Sequence, residues 1–409
     1  MKQRIASPSD GLEPAVVSAS ETASPRSGRV GALASLVAVQ FFYAWAWNTS
    51  DVLRPAFRAA LGLSLTQVGA GYSMQVVGAL VGALTVVRFE HFAGRRHALA
   101  LACAGGGLAL LAGLLVTSWS GFLVQRLAVG LCGGAVFPLT IGLIVELYES
   151  RVRGRLASLI DGTYFAAVAV LGLASGQVGL DGWRMLLWIG GLPPLLVAVA
   201  CYQFVPAFPP RNATTEPMSM FGLFARPHRA RTIAVAAMLA ANACGYQAFS
   251  GWLTTYLYEV AQLGAQAVGA IIACQFVGGI VGCIAWGWAV DRYGRRVGAL
   301  GLLAAGLAAA LFLLSPPSPV LLGLATALFG VAFSAIVSIG PWLAELYPPA
   351  LRTAATAMFQ WGRFVSLLAP LATGGLAAQW GLPVAMSLSV ALFSLAALLW
   401  SRLPETLVR

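Results

Sequence analysis

The sequence predicts an all-α membrane protein of twelve transmembrane helices, arranged as two pseudo-symmetric bundles of six. Three observations carry this. Of 409 residues, 59% are hydrophobic and only 10% charged, which leaves too little polar surface for a soluble fold of that size. The apolar residues gather in twelve runs, and the mean hydropathy of the chain is +0.82. Short features of the first half also return about 200 positions later, and recurrence at a fixed period marks a duplicated architecture.

Taken in order, residues 1–29 are rich in Ser, Pro and Ala and contain no apolar run for a cleavable signal core, so a disordered cytoplasmic tail is expected. Twelve spans follow, at about 31–53, 67–88, 97–117, 119–146, 154–178, 183–205, 232–257, 266–290, 297–315, 319–346, 353–378 and 382–402. Each is long enough to cross about 30 Å of hydrocarbon at about 1.5 Å per residue. The stretch 206–231, with five prolines and four arginines, reads as a cytoplasmic linker between a first bundle at 30–205 and a second at 232–403. Residues 404–409 form a closing cytoplasmic tail.

Orientation follows from the basic residues. An N-terminus inside places 20 of the 25 Lys and Arg residues on the cytoplasmic side, with only Arg54, Arg58 and Arg184 outside. Positive charge accumulates on the cytoplasmic side of membrane proteins, so both termini are expected inside, in the cytoplasmic (inner) membrane. The net charge of +11 is thereby a topological signal and does not call for a nucleic-acid partner.

The repeat is clearest in two loops. Gly94-Arg95-Arg96 precedes Gly294-Arg295-Arg296 by 200 positions, and Glu146-Leu147-Tyr148 with Arg153 precedes Glu345-Leu346-Tyr347 with Arg352 by 199. In the loop from Gly287 to Arg296, Gly287 is expected to let two helices approach, Asp291 to sit at the membrane surface, and Gly294 to turn the chain. Asp291 is a further candidate to cap the positive end of a neighbouring helix.

These motifs together resemble the major facilitator superfamily, whose signature loop joins spans 2 and 3 and again spans 8 and 9. Arg126 with Gly130, Gly133 and Gly134, and the closing Pro404-Glu405-Thr406, are similar to further family motifs. The run Gly251 to Leu257 and the Asp291 loop look most like metabolite:proton symporters for aromatic and other organic acids, and more distantly the sugar porters. The chain departs from those symporters in two places. Span 1 carries Tyr43-Ala44-Trp45-Ala46-Trp47-Asn48 where they have buried aspartates, and the first loop has His91, next to Glu90, where the signature has Asp.

An ionisable residue deep in a span costs about 2.5 to 3.5 kcal/mol on insertion scales, so each requires a role. Arg126, Asp161 and Arg363 qualify, and none recurs in the other half. Arg363 is the candidate for a substrate carboxylate, because its planar fork binds a carboxylate at two points. Asp161 is the candidate proton site: burial favours the neutral acid, a nearby arginine the anion, and alternating exposure changes the balance. Tyr43, Trp45, Trp47, Asn48, Tyr246, Gln247, Trp252, Gln275, Gln360 and Trp361 are candidates to line a central cavity between the repeats. Asp291, Arg292, Arg295, Arg296, Gly287 and Gly294, with Glu146, Arg153, Glu345, Arg352, Arg95 and Arg96, form the expected cytoplasmic gating networks.

Six cysteines and three histidines form no metal-ligand spacing, and no nucleophile with a base is visible, so neither cofactor nor enzymatic activity is expected. The expected function is alternating-access, proton-coupled transport of a small organic anion by a monomer in lipid. The alternatives are a drug or metabolite exporter and a transporter-like sensor.

Overall fold

The structure, a computed structural model, describes residues 26–207, 220–348, 351–358 and 361–406. Most of the expected tail at 1–29 and linker at 206–231 lies outside the described residues. Among these residues all regular structure is helical. Eleven helices are long and apolar enough to cross a membrane, and a twelfth apolar stretch, Phe364–Trp380, is shorter. Leucines such as Leu314, 85% exposed, point outward where a bilayer supplies apolar contact.

The shortfall lies in span 11, which comes as Arg352–Ala357, Trp361–Ser366 and Ala369–Trp380. Pro370 explains the second interruption, because a proline cannot donate to the carbonyl four residues back and its ring crowds it. Span 10 obeys the same rule. Its α-helix Pro319–Phe333 gives way to a 3-10 segment Ser334–Ser338 just before Pro341, then resumes as Ile339–Leu346.

The first span of each half is broken at the same register. Span 1 runs Arg26–Val52 and restarts as Arg54–Leu61 with Pro55 in its first turn. Span 7 runs Arg229–Phe249 and restarts as Leu253–Glu259. The duplication extends to packing. A Cβ on Gly130 would stand 1.9 Å from the Gln75 carbonyl oxygen, and one on Gly330 would stand 1.8 Å from that of Gln275. Spans 2 and 4, and their counterparts 8 and 10, are therefore held backbone against backbone by glycines 200 positions apart.

Spans 2 and 3 form one helical run, Leu65–Leu111, kinked at Gly94 with φ 78°. Gly294 turns the equivalent corner with φ 109°. Both values lie in the left-handed region, where only glycine is unstrained. Gly287 behaves otherwise than expected. A Cβ there would meet nothing within 4 Å, so no helix packs against it, and the close approaches fall on Gly278 and Gly282 instead.

The two halves meet at the end of the molecule opposite these basic loops. The Ser73 hydroxyl of span 2 donates to the Leu367 carbonyl of span 11. Spans 5 and 8 touch through Gly172 and Gly269, where a Cβ on Gly269 would lie 2.5 Å from the Gly172 oxygen. Arg58 and Glu259 form an ion pair across the outer rim of this seal.

Candidate functional site

Just inside that rim, the break in span 1 creates a charged centre that the sequence reading missed. Helix Arg26–Val52 ends where Pro55 disallows continuous helical hydrogen bonding, and Asp51 and Arg54 straddle the gap. Asp51 Oδ1 and Arg54 Nη2 are 2.5 Å apart, and Asp51 also accepts from Ser50. Arg54 was expected in an outer loop. It is instead wholly buried, its guanidinium 4.3 Å from the centre of the Trp252 ring in the other half.

Arg126 stands on the same centre from span 4. It is also wholly buried, donating to Gln125 Oε1 at 2.6 Å, Thr49 Oγ1 at 2.9 Å and Gln75 Oε1 at 3.5 Å. The Phe57 ring covers its other side at 5.0 Å. All of these partners are neutral, and the acid that faces Arg126 is Asp51. Among the described residues, Arg54 Nε and Nη1 and Arg126 Nη2 have no hydrogen-bond partner, and buried unpaired donors are costly. At an offset of 200 Asp51, Arg54 and Arg126 fall on Gly251, Thr254 and Thr326. The charged set thus belongs to one half, whereas the packing glycines belong to both.

Asp51 opens on a narrow pocket between the halves. Its lining includes Asn48 and Asp51 from span 1, Tyr246 and Ser250 from span 7, and Gln275 and Phe276 from span 8. Three expected lining residues, Asn48, Tyr246 and Gln275, are therefore brought together. Asn48 donates to the Tyr164 hydroxyl at 2.9 Å, and Gln275 donates to Ser250 at 2.8 Å.

Other expectations need correction. Trp45 does not reach the cavity: its indole donates to the Leu186 carbonyl at 3.1 Å within the first half. Trp252 is buried beneath Arg54 and donates to Thr373 at 2.7 Å. Gln247 is buried with neither amide atom partnered among the described residues. Tyr43 and Trp47 line a separate, largely apolar cavity of about 390 Å³ inside the first half. Asp161 forms no hydrogen bond or ion pair among the described residues, and its electrostatic neighbour across the interface is Cys283. It does not pair with Arg126. Gln360 and the side chains of Trp361 and Arg363 lie outside the described residues.

At the basic end, each expected network closes within its own half. Arg295 binds Glu345 through two nitrogens, at 2.9 and 3.2 Å, and Asp291 at 2.7 Å. Arg95 binds Glu146 at 2.5 Å and pairs with Glu90. Glu90 thereby serves where the first loop lacks Asp. Arg96 and Arg292 lie over aromatic rings, Tyr202 at 4.5 Å and Trp288 at 5.7 Å. Arg352 is exposed, and the Arg153 side chain lies outside the described residues. Asp291 is not the helix cap. That role falls to Glu405, whose carboxylate accepts from the backbone N–H groups of Arg295 and Arg296, both at 2.9 Å.

The sequence profile of the Major Facilitator Superfamily matches residues 36–335 and, overlapping, 257–408. The chain belongs to that superfamily. As a member of the superfamily it is a secondary transporter and not an enzyme. It is 27% identical to a gallate transporter of Pseudomonas putida over 375 residues, covering 82% of this chain and 83% of that protein. It is likewise 27% identical to a probable 4-methylmuconolactone transporter of Cupriavidus pinatubonensis, covering 76% of each. Among solved structures, a bacterial homolog of the human lysosomal transporter Spinster superposes with a TM-score of 0.76 at 16% identity, covering 92% of this chain and 97% of that one. This major facilitator fold places the cavity at the junction of two repeats, where such transporters hold substrate.

Proposed function

We propose that this transporter carries a small organic anion, an aromatic or related carboxylate, together with a proton across the cytoplasmic membrane. The observation that carries the reading is the surplus of buried positive charge beside the cavity. Two fully buried arginines face one acid, and three of their nitrogens lack partners. An uncompensated buried charge costs several kcal/mol, and a substrate carboxylate that takes these nitrogens removes both the charge and the orphaned donors. The relatives named for gallate and 4-methylmuconolactone support a compact acid.

The basic loops face the cytoplasm by the positive-inside rule, which puts both termini inside. The seal at the opposite end is then external, and the conformation is inward-facing. Transport proceeds as the two bundles rock to exchange this seal for one at the basic end. The protein works as a monomer, since both halves of its site come from one chain.

The experiment is uptake of labelled gallate, 4-hydroxybenzoate and aliphatic carboxylates into proteoliposomes, with and without an inward proton gradient and with cationic drugs as controls. Gradient-stimulated uptake of a carboxylate, lost in Arg54→Ala and Arg126→Ala, is expected. The same assay on Arg363→Ala decides whether that residue joins them. Flux of cations alone would overturn the reading.

A further inference from the structure

We propose that the turn opening span 3, Gly94-Arg95-Arg96, forms with the end of span 6 an anion site that takes a phosphate group, the headgroup of an anionic phospholipid in the leaflet at the basic end. This rests on neither the substrate nor the coupling reading above. The second half shows what such a turn holds. After Gly294 the backbone N–H groups of Arg295 and Arg296 both donate to the Glu405 carboxylate, at 2.9 Å, and Arg296 Nε donates to the Leu403 carbonyl at 2.7 Å. There the chain supplies its own anion, from the segment that follows span 12.

The first half has the same turn without the anion. Val205 ends span 6 in extended backbone as Leu403 ends span 12, and each is followed by proline. The next residue is Glu405 in the second half and an exposed Ala207 in the first, and a methyl group accepts no hydrogen bond. Gly94 turns in the left-handed region as Gly294 does, so Arg95 and Arg96 open a helix whose first N–H groups have no partner within it. Among the described residues no side chain accepts from either N–H. Arg96 Nε is screened from solvent and has no partner, where its counterpart Arg296 Nε is satisfied.

Charge and surroundings select the ligand. The Arg95 side chain is engaged by Glu90 and Glu146, but no described acid pairs with Arg96. Its guanidinium lies 4.5 Å from the centre of the Tyr202 ring, and His97 packs on the same ring at 5.4 Å. Backbone N–H groups at a helix start and a guanidinium beside them are the donors that hold a phosphate. The site also faces lipid. Tyr202 and Phe204 at the end of span 6 are exposed, as are Leu101, one turn beyond His97, and Val199, one turn before Tyr202. In the second half Trp400, which stands where Tyr202 stands in the first, is buried. Basic pockets between helices at this level bind lipid headgroups, and the exposed apolar side chains below receive the acyl chains. A phospholipid held here caps span 3 from outside the chain, as Glu405 caps the equivalent turn from within.

The test is thermal unfolding of the full chain, purified in detergent and stripped of lipid, then titrated with phosphatidylglycerol, phosphatidylcholine or glycerol 1-phosphate. Phosphatidylglycerol is expected to raise the unfolding temperature of wild type by several degrees, and phosphatidylcholine far less. Ala207→Glu, which supplies the missing carboxylate, should begin near that raised value without lipid and gain little more from it. Ala207→Gln, of similar size but without the charge, should keep the wild-type response, and Arg96→Gln should lose it. Because Ala207 is exposed, its two variants decide the matter even where Arg96→Gln fails to fold. No response of wild type to phosphatidylglycerol, or a response of Ala207→Glu as large as that of wild type, would overturn the site. Equal stabilisation by glycerol 1-phosphate would keep the phosphate site and overturn its assignment to lipid.

Discussion

The guanidinium of Arg54 lies 4.3 Å from the centre of the Trp252 ring, which stacks the break in span 1 of one half on the break in span 7 of the other. A desolvated cation over an indole is worth about 2 kcal/mol. Trp252→Leu is expected to loosen the seal between the halves and raise the population open at that end about fivefold or more. Spin labels at Ala59 and Gln262, one on each half, read this as growth of a longer-distance component.

The Arg58–Glu259 pair also crosses the halves, but its side chains keep 33% and 31% exposure. Such pairs contribute about 0 to 1 kcal/mol and weaken with salt. Glu259→Gln should therefore change transport only a few-fold. Charge reversal of either residue alone should impair the sealed state more, and the double exchange Arg58→Glu with Glu259→Arg should restore it.

Glu405 accepts two backbone N–H groups at the start of the helical turn after Gly294. A side chain that caps the start of a helix contributes about 0.5 to 2 kcal/mol, and Glu405 is exposed to solvent. Glu405→Ala is expected to lower the unfolding temperature in detergent by several degrees. Asp291→Asn should cost much less, because the Asp291 side chain is 74% exposed and Arg295 retains Glu345.

Gly330 and Gly323 share a helix but not an environment. A Cβ at Gly330 would collide with the Gln275 carbonyl, whereas at Gly323 the nearest atom is 3.8 Å away. Overpacking against rigid backbone costs about 1 to 3 kcal/mol or more. Gly330→Ala should reduce both the yield of folded protein and its thermal stability, and Gly323→Ala should leave both near wild type.

Asp161 has no partner among the described residues and stands away from Arg126. Asp161→Asn is expected to keep gradient-stimulated carboxylate uptake into proteoliposomes within a few-fold of wild type. Loss of that stimulation would return Asp161 to the coupling site.

The helix count and the register of the repeat were legible because hydropathy and spacing act over whole segments, beyond the reach of any one side chain. The break in span 11 was also marked in principle, by Pro370. The charged centre was not read, because Asp51 and Arg54 lie at the end of a span, where a hydropathy scan assigns charge to a loop. The available signal was local: an acid and an arginine three apart, immediately before Pro55, in a chain with only 10% charged residues. Asn48, Tyr246 and Gln275 were found by their polarity within apolar runs. Trp45 and Trp252 have the same signature, yet Trp45 packs inside the first half and Trp252 beneath Arg54, since an indole N–H needs only one acceptor wherever it is buried. Glu405 was legible as a motif but not as a cap, because its partners lie more than 100 positions away.

The Glu405 contact also sets an order of assembly. Arg95 can meet Glu146 once 51 further residues have been made, so the first bundle can close its loop while the second is still being synthesised. The backbone N–H of Arg295 waits 110 residues for Glu405, until span 12 has followed span 11 into the bilayer. A chain that stops within span 12 therefore leaves the Arg295 and Arg296 N–H groups without the carboxylate that caps them.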